Sequence, residues 1–137
     1  MFLTDDPSQS RYPGDEFVDV ACFDRYDVHN VNFSKGLKQD CAIATTFADS
    51  HDKVFALCEV GVSKGLETAS ADEAAVWYTD AFLAPMTSTS CSRAAWALTW
   101  RNSAPNSYWV PLQNNTGFSA FQKFAMSNLT VFAANQS

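Results

Sequence analysis

Three short apolar runs, each leading into polar residues, punctuate the chain. The first occupies residues 17–23, Phe-Val-Asp-Val-Ala-Cys-Phe, directly after the turn signal Tyr12-Pro13-Gly14-Asp15. Its near-continuous apolar character predicts a strand covered on both faces, as in a parallel sheet. Asp24-Arg25-Tyr26-Asp27 then falls at the C-terminal end of that strand. The second run, Val54-Phe55-Ala56-Leu57-Cys58, stops on Glu59 with Gly61 just beyond. It predicts another buried strand with a carboxylate at its exit. The third, residues 94–100, leads into Arg101 and Asn102.

Stretches of helical period separate these runs. Ser34 is placed to cap a helix reaching about Ala48, with Leu37, Cys41, Ala44 and Ala48 on its apolar face and Phe33 as a staple. Ser70-Ala71-Asp72-Glu73 is a capping-box pattern, after which Ala74, Trp77, Ala81 and Phe82 mark one face until Pro85. Phe118, Phe121, Phe124 and Phe132 predict a short amphipathic helix and a packed tail. The order strand, helix, strand, helix, strand is that of a parallel α/β sheet. Residues 1–11 read as a loop or a non-native start, and residues 1–137 as a single domain or part of one.

A net charge of -6 and nine scattered basic residues argue against a nucleic-acid partner, because phosphate binding needs a Lys/Arg surplus on one face. No run of about 18 apolar residues spans a membrane, and the opening Met1-Phe2-Leu3-Thr4-Asp5-Asp6 lacks a secretion signal's basic and apolar regions. Cys22, Cys41, Cys58 and Cys91 form no C-x-x-C pair and share no ligand spacing with His29 or His51, so no metal site is expected. Cys41 and Cys91 are the one pair open to bridging. Cys22 and Cys58, inside apolar runs, read as buried thiols. Four Asn-x-Ser/Thr triplets, at Asn32, Asn114, Asn128 and Asn135, would accept glycans in a eukaryotic secretory context.

All three strands end in chemistry-bearing groups: Asp24 and Tyr26, then Glu59, then Trp100, Arg101 and Asn102. In parallel α/β proteins ligands sit at the carboxyl ends of strands, so these residues form one candidate site. A carboxylate oriented by a neighbouring hydroxyl suits nucleophilic catalysis, and a tryptophan beside an arginine and an asparagine suits a stacked, hydrogen-bonded sugar. The plain alternative makes Glu59 a cap on the following turn or a partner of Lys64. Trp77 is assigned to packing, Trp96 to the core or the strand–helix interface, and Asp15, Glu16 and Asp19 to a solvated loop.

Residues 12–20 (Tyr-Pro-Gly-Asp-Glu-Phe-Val-Asp-Val), Phe23-Asp24-Arg25-Tyr26, Ala56-Leu57-Cys58-Glu59-Val60-Gly61, Ala97-Leu98-Thr99-Trp100-Arg101-Asn102, Tyr108-Trp109-Val110-Pro111 and Phe121-Gln122-Lys123-Phe124 resemble, in order and spacing, glycoside hydrolase family 26. The resemblance runs from about Tyr12 to Phe132. It implies a piece of a (β/α)8 TIM barrel comprising the sixth to eighth strands and their helices, and a retaining endo-β-1,4-mannanase-like activity without cofactor. Glu59 then matches the nucleophile and Tyr26 the hydroxyl that orients it. Asp24 helps to organise the site, Trp100 matches the platform beside the cleaved bond, and Arg101, with Asn102, a sugar contact. Cys58 stands where the family often has threonine, and Ser107 where a histidine is frequent. The acid/base glutamate belongs to the fourth strand, upstream of these residues, so the chain by itself is expected to be inactive and to need an N-terminal barrel half as partner. A truncated gene model is one expected origin. The implied substrate is a β-mannan polysaccharide and the implied location extracellular. Alternatives are another β-glycan, mixed-linkage glucan or xylan, and a non-catalytic carbohydrate-binding remnant.

Overall fold

The computed structural model describes residues 12–103 and 107–132. It is an α/β fold built on a parallel sheet of three strands in the order β1-β2-β3, with β1 at Val20–Asp27, β2 at Val54–Val62 and β3 at Ala97–Thr99. The long helix α1, Asn30–His51, connects the first two strands. After β2 come α2 (Ala71–Val76), a π-helical run Trp77–Leu83 and a last α-helical turn α3 (Ala84–Met86). Helix α4 spans Phe118–Ala125.

The first strand begins later and ends later than the apolar run predicts. Gly14 takes φ 118, and the chain turns through Asp15–Phe17 with the Phe17 amide donating to the Gly14 carbonyl. Phe17 is left 71% exposed. Beyond Phe23 the strand continues, because Arg25, Tyr26 and Asp27 pair in register with Val60, Gly61 and Val62. Glu59 accordingly lies inside β2 rather than at its exit.

Helix α1 also departs from expectation. It starts at Asn30, where the Asp27 carboxylate accepts from the Val28 and His29 amides just outside the first turn. Ser34 is one turn inside and donates to the Ala81 carbonyl at 3.0 Å instead of capping. Phe33, Leu37, Cys41, Ala44 and Ala48 form the buried stripe, each 1% exposed or less. This stripe packs on Ala21 and Phe23 of β1 and Phe55 and Leu57 of β2 to make one continuous core. Burying a leucine or phenylalanine side chain completely contributes about 1.5–3 kcal/mol each. Asp52 ends the helix in the left-handed region, φ 53, and the Lys53 amide bonds back to Ala48.

Ser70 caps α2 as read: its hydroxyl accepts from the Glu73 amide and donates to the Glu73 carboxylate at 3.1 Å, and that carboxylate also accepts from the Asn30 amide. Pro85, expected to end that helix, sits at the opening positions of α3, where a missing N–H costs least. The run of π-helix keeps Trp77, Tyr78, Ala81 and Phe82 all buried. Trp77, Tyr78 and Phe82 join Phe33, Phe121 and Phe124 in an aromatic cluster that Phe132 also touches.

The third apolar run gives only a three-residue strand, with Ala97 and Thr99 in register against β2, and its far side meets no further strand among the described residues. Trp96 is 49% exposed and Leu98 56%, so Trp96 fills neither core nor interface. Two disulfides close the fold. Cys41–Cys91 ties α1 to the turn Cys91–Arg93, and Cys22–Cys58 ties β1 to β2. The second of these corrects the reading of Cys22 and Cys58 as thiols: on adjacent strands facing the same side, their Cα atoms lie 5.6 Å apart, within bridging range. Among the described residues no helix is long and apolar enough to cross a membrane, and no three His, Cys, Asp or Glu side chains gather as a metal-holding group.

Candidate active site

A break in the β1–β2 ladder decides where Glu59 points. Phe23 pairs with Leu57 and Asp24 with Glu59, so β2 spends one more residue than β1 at Cys58. Toward β3 the same excess appears, since Leu57 matches Ala97 and Val60 matches Thr99. Strict alternation from Phe55 and Leu57, both buried against α1, would drive Glu59 into the helix layer. The bulge reverses the phase. Val60 and Val62 take the helix side, 0% and 1% exposed, and Glu59 and Gly61 take the opposite, inner side. Arg25 marks the helix side of β1, its guanidinium paired with Asp40 of α1, which leaves Asp24 and Tyr26 on the inner side beside Glu59.

There the Tyr26 hydroxyl donates to Glu59 Oε2 at 3.0 Å. Burial foremost, then this hydrogen bond and the charges of Glu59 and Asp24, push the Tyr26 phenol well above its ordinary pKa, so the proton stays on tyrosine and points at the carboxylate. Burial and then the neighbouring Glu59 charge raise Asp24 above the usual aspartate range, and a hydrogen bond from the Glu59 backbone amide offsets part of that. Asp24, Tyr26 and Glu59 therefore form one connected group at the C-terminal halves of two adjacent parallel strands.

Trp100 and Arg101 follow β3. The Thr99 side chain bonds Tyr78 in the helix layer, and Trp100 is the first residue past the strand. The Arg101 guanidinium carbon lies 5.7 Å from the Trp100 ring centroid, a cation–π pair. Asn102, read as a sugar contact, also bonds the backbone of the loop that follows. Its Oδ1 accepts from the Trp109 and Val110 amides at 3.0 Å each and its Nδ2 donates to the Val110 carbonyl at 2.8 Å. A short polar side chain at a loop entrance closes such a turn.

Solved structures match the fold of the chain, although no family model matches it. Over 92% of its length the chain is similar to a modular endo-β-1,4-mannanase from Cellulomonas fimi, described for the product specificity of glycoside hydrolase family 26 mannanases, with 33% identity and a TM-score of 0.79. A family 26 β-mannanase from Bacteroides ovatus matches 93% of the chain at 26% identity and a TM-score of 0.77. The catalytic domain of a family 26 endo-β-1,4-mannanase from a Bacillus species matches 92% at 27% identity and 0.73. The chain belongs to glycoside hydrolase family 26. It spans 28% of the Cellulomonas protein and 35% of each of the other two, so its three strands match one portion of a family 26 barrel.

Within this family 26 chain one wall of the site was not assigned from the sequence. Trp109 lies against Gly61, its indole N–H donating to the Val62 carbonyl at 2.9 Å. A Cβ on Gly61 would collide with the Trp109 ring and approach Tyr26 Cε1 to 3.2 Å. Tyr78 fixes the same loop from beneath, its hydroxyl donating to the Trp109 carbonyl at 2.7 Å. The available signal was Gly61 itself, since a glycine inside a buried strand marks close approach of another group.

Proposed function

We propose that Glu59 is the nucleophile of a retaining glycosidase acting on β-1,4-mannan, within a complete barrel in which β1, β2 and β3 are the sixth, seventh and eighth strands. The observation that carries this reading is the Tyr26–Glu59 hydrogen bond on the inner face at the strand ends. A glycosidase nucleophile needs one carboxylate oxygen held still and the other free to attack. A phenol donating to a single oxygen supplies that restraint without neutralising the charge.

In the reaction Glu59 attacks the anomeric carbon while an acid/base glutamate, contributed by a part of the barrel outside this chain, protonates the departing oxygen. The glycosyl ester on Glu59 is then hydrolysed by water that the same acid/base deprotonates, with the two carboxyl groups about 5–5.5 Å apart. Trp100 offers a face for the pyranose ring beside the cleaved bond and Arg101 a donor to the glycone. The mannanase activity of the structural neighbours favours mannan as the polymer. Two disulfides support an oxidising, extracellular setting.

The decisive experiment joins this chain to the first five strands of a family 26 mannanase and compares it with its Glu59→Ala variant. Turnover should fall about 1,000-fold or more with the fold intact, because the group acts in both half-reactions. Azide entering the vacated space should restore some turnover and yield product of inverted configuration. Near-normal activity in the variant would remove the assignment.

A further inference from the structure

The proposed reaction leaves one inner-face feature unused, the Cys22–Cys58 disulfide. Cys58 is the surplus residue of the bulge, the position on β2 with no register partner on β1, and Glu59 is the next residue. Buried Phe55, Leu57, Val60 and Val62 fix the register on either side of the bulge, but the surplus residue between Leu57 and Val60 can be Cys58 or Glu59 without moving any of them, so the helix-side packing does not choose between the two. If the surplus position moved past Glu59, the carboxylate would turn toward Phe23 and Leu57 in the helix layer, and the match of Asp24 with Glu59 would be lost. Cys22 stands two residues before Asp24 on the same inner face, paired in register with Ala56. Its bond to Cys58 therefore ties the surplus residue to the strand that carries Tyr26.

We infer that the Cys22–Cys58 disulfide is a positioning cross-link: it holds the β2 bulge at Cys58 and thereby sets the Glu59 carboxylate against Tyr26. Its catalytic consequence rests on the reading of Glu59 as nucleophile; its geometric consequence does not. Cys41–Cys91 provides the internal contrast, since it joins α1 to the turn Cys91–Arg93 on the helix side and touches neither Tyr26 nor Glu59.

The test compares the chain with two disulfide-free variants, Cys22→Ala/Cys58→Val and Cys41→Ala/Cys91→Ala. Amide exchange is read along β2, and the Tyr26 ring is followed by 13Cζ tyrosine NMR across a pH titration. In the first variant the Glu59, Val60 and Gly61 amides should lose protection at least about 10-fold relative to Phe55, Ala56 and Leu57. The Tyr26 titration should move down toward that of an ordinary tyrosine while Tyr78 stays put. The second variant should show neither change. An unchanged Tyr26 titration in Cys22→Ala/Cys58→Val overturns the inference, as does a uniform loss of protection along β1 and β2, which would make the bond a general staple. A Glu59→Ala variant with normal turnover would remove the nucleophile reading and leave this result standing.

Discussion

On the helix-facing side of β1 and β2, Ala21, Phe23, Phe55, Leu57, Val60 and Val62 are each 6% exposed or less, while on the other side Asp24, Tyr26 and Glu59 remain partly open to solvent. The same two strands thus carry a core on one surface and ionisable chemistry on the other. A single surplus residue at Cys58 decides which surface Glu59 joins. Substitutions on the two faces should report on different properties, and three of them probe that division.

The largest stability effect belongs to the helix-facing side. Leu57 is 0% exposed within the core, so Leu57→Ala should destabilise the chain by about 2–5 kcal/mol, read from the midpoint of a urea melt. A loss below about 1 kcal/mol would show that this face does not hold the fold as described.

An intermediate effect is expected where the site wall meets the strand. Gly61→Ala places a methyl group into the Trp109 ring, so the indole must withdraw and release its hydrogen bond to Val62. A cost of about 1–3 kcal/mol should accompany a shifted Trp109 resonance in 19F-tryptophan NMR, with Trp77 unmoved. An unshifted Trp109 would contradict the close approach.

The smallest effect sits on the inner face. Asp24 is raised by burial and then by Glu59, so the folded chain holds that proton more tightly than the unfolded chain. Stability from this group therefore falls as pH rises from the ordinary aspartate range through the higher folded value. Asp24→Asn should raise stability at neutral pH by about 0.5 kcal/mol or less, since water screens a partly open site. The gain should vanish at acid pH, where both states of the wild-type residue are protonated. A gain that persists there would assign the effect to packing rather than charge.

Much of the architecture was legible because periodicity reports burial. Leu37, Cys41, Ala44 and Ala48 lie on one stripe of α1, and the Ser70 hydroxyl caps α2 at the Glu73 amide, both local patterns with local causes. Strand ends were not legible in the same way. Phe17 is apolar yet exposed because Gly14 turns the chain away first, and the strand runs on through Arg25 and Tyr26 because a partner strand lies beside them. In the site, Tyr26 and Glu59 were brought together from residue type and order, but the device that does so, one extra residue at Cys58, leaves no periodic mark in so short a run. The loop bonds of Asn102 were not legible for a related reason. Its side chain answers to the amides of Trp109 and Val110, whose nearness only the folded loop establishes.

The two disulfides interleave along the chain: one links Cys22 to Cys58 and the other Cys41 to Cys91. Any single peptide cleavage between Cys22 and Cys58 leaves its two products joined through the first bond, and any between Cys41 and Cys91 leaves them joined through the second. Because the two intervals overlap, every nick from Cys22 to Cys91 yields covalently tethered pieces. That stretch contains α1, all of β2 and the short turns that follow it. Glu59 and Tyr26 would therefore stay part of one molecule after a protease had opened a loop between them, and only scission before Cys22 or after Cys91 could shed a segment.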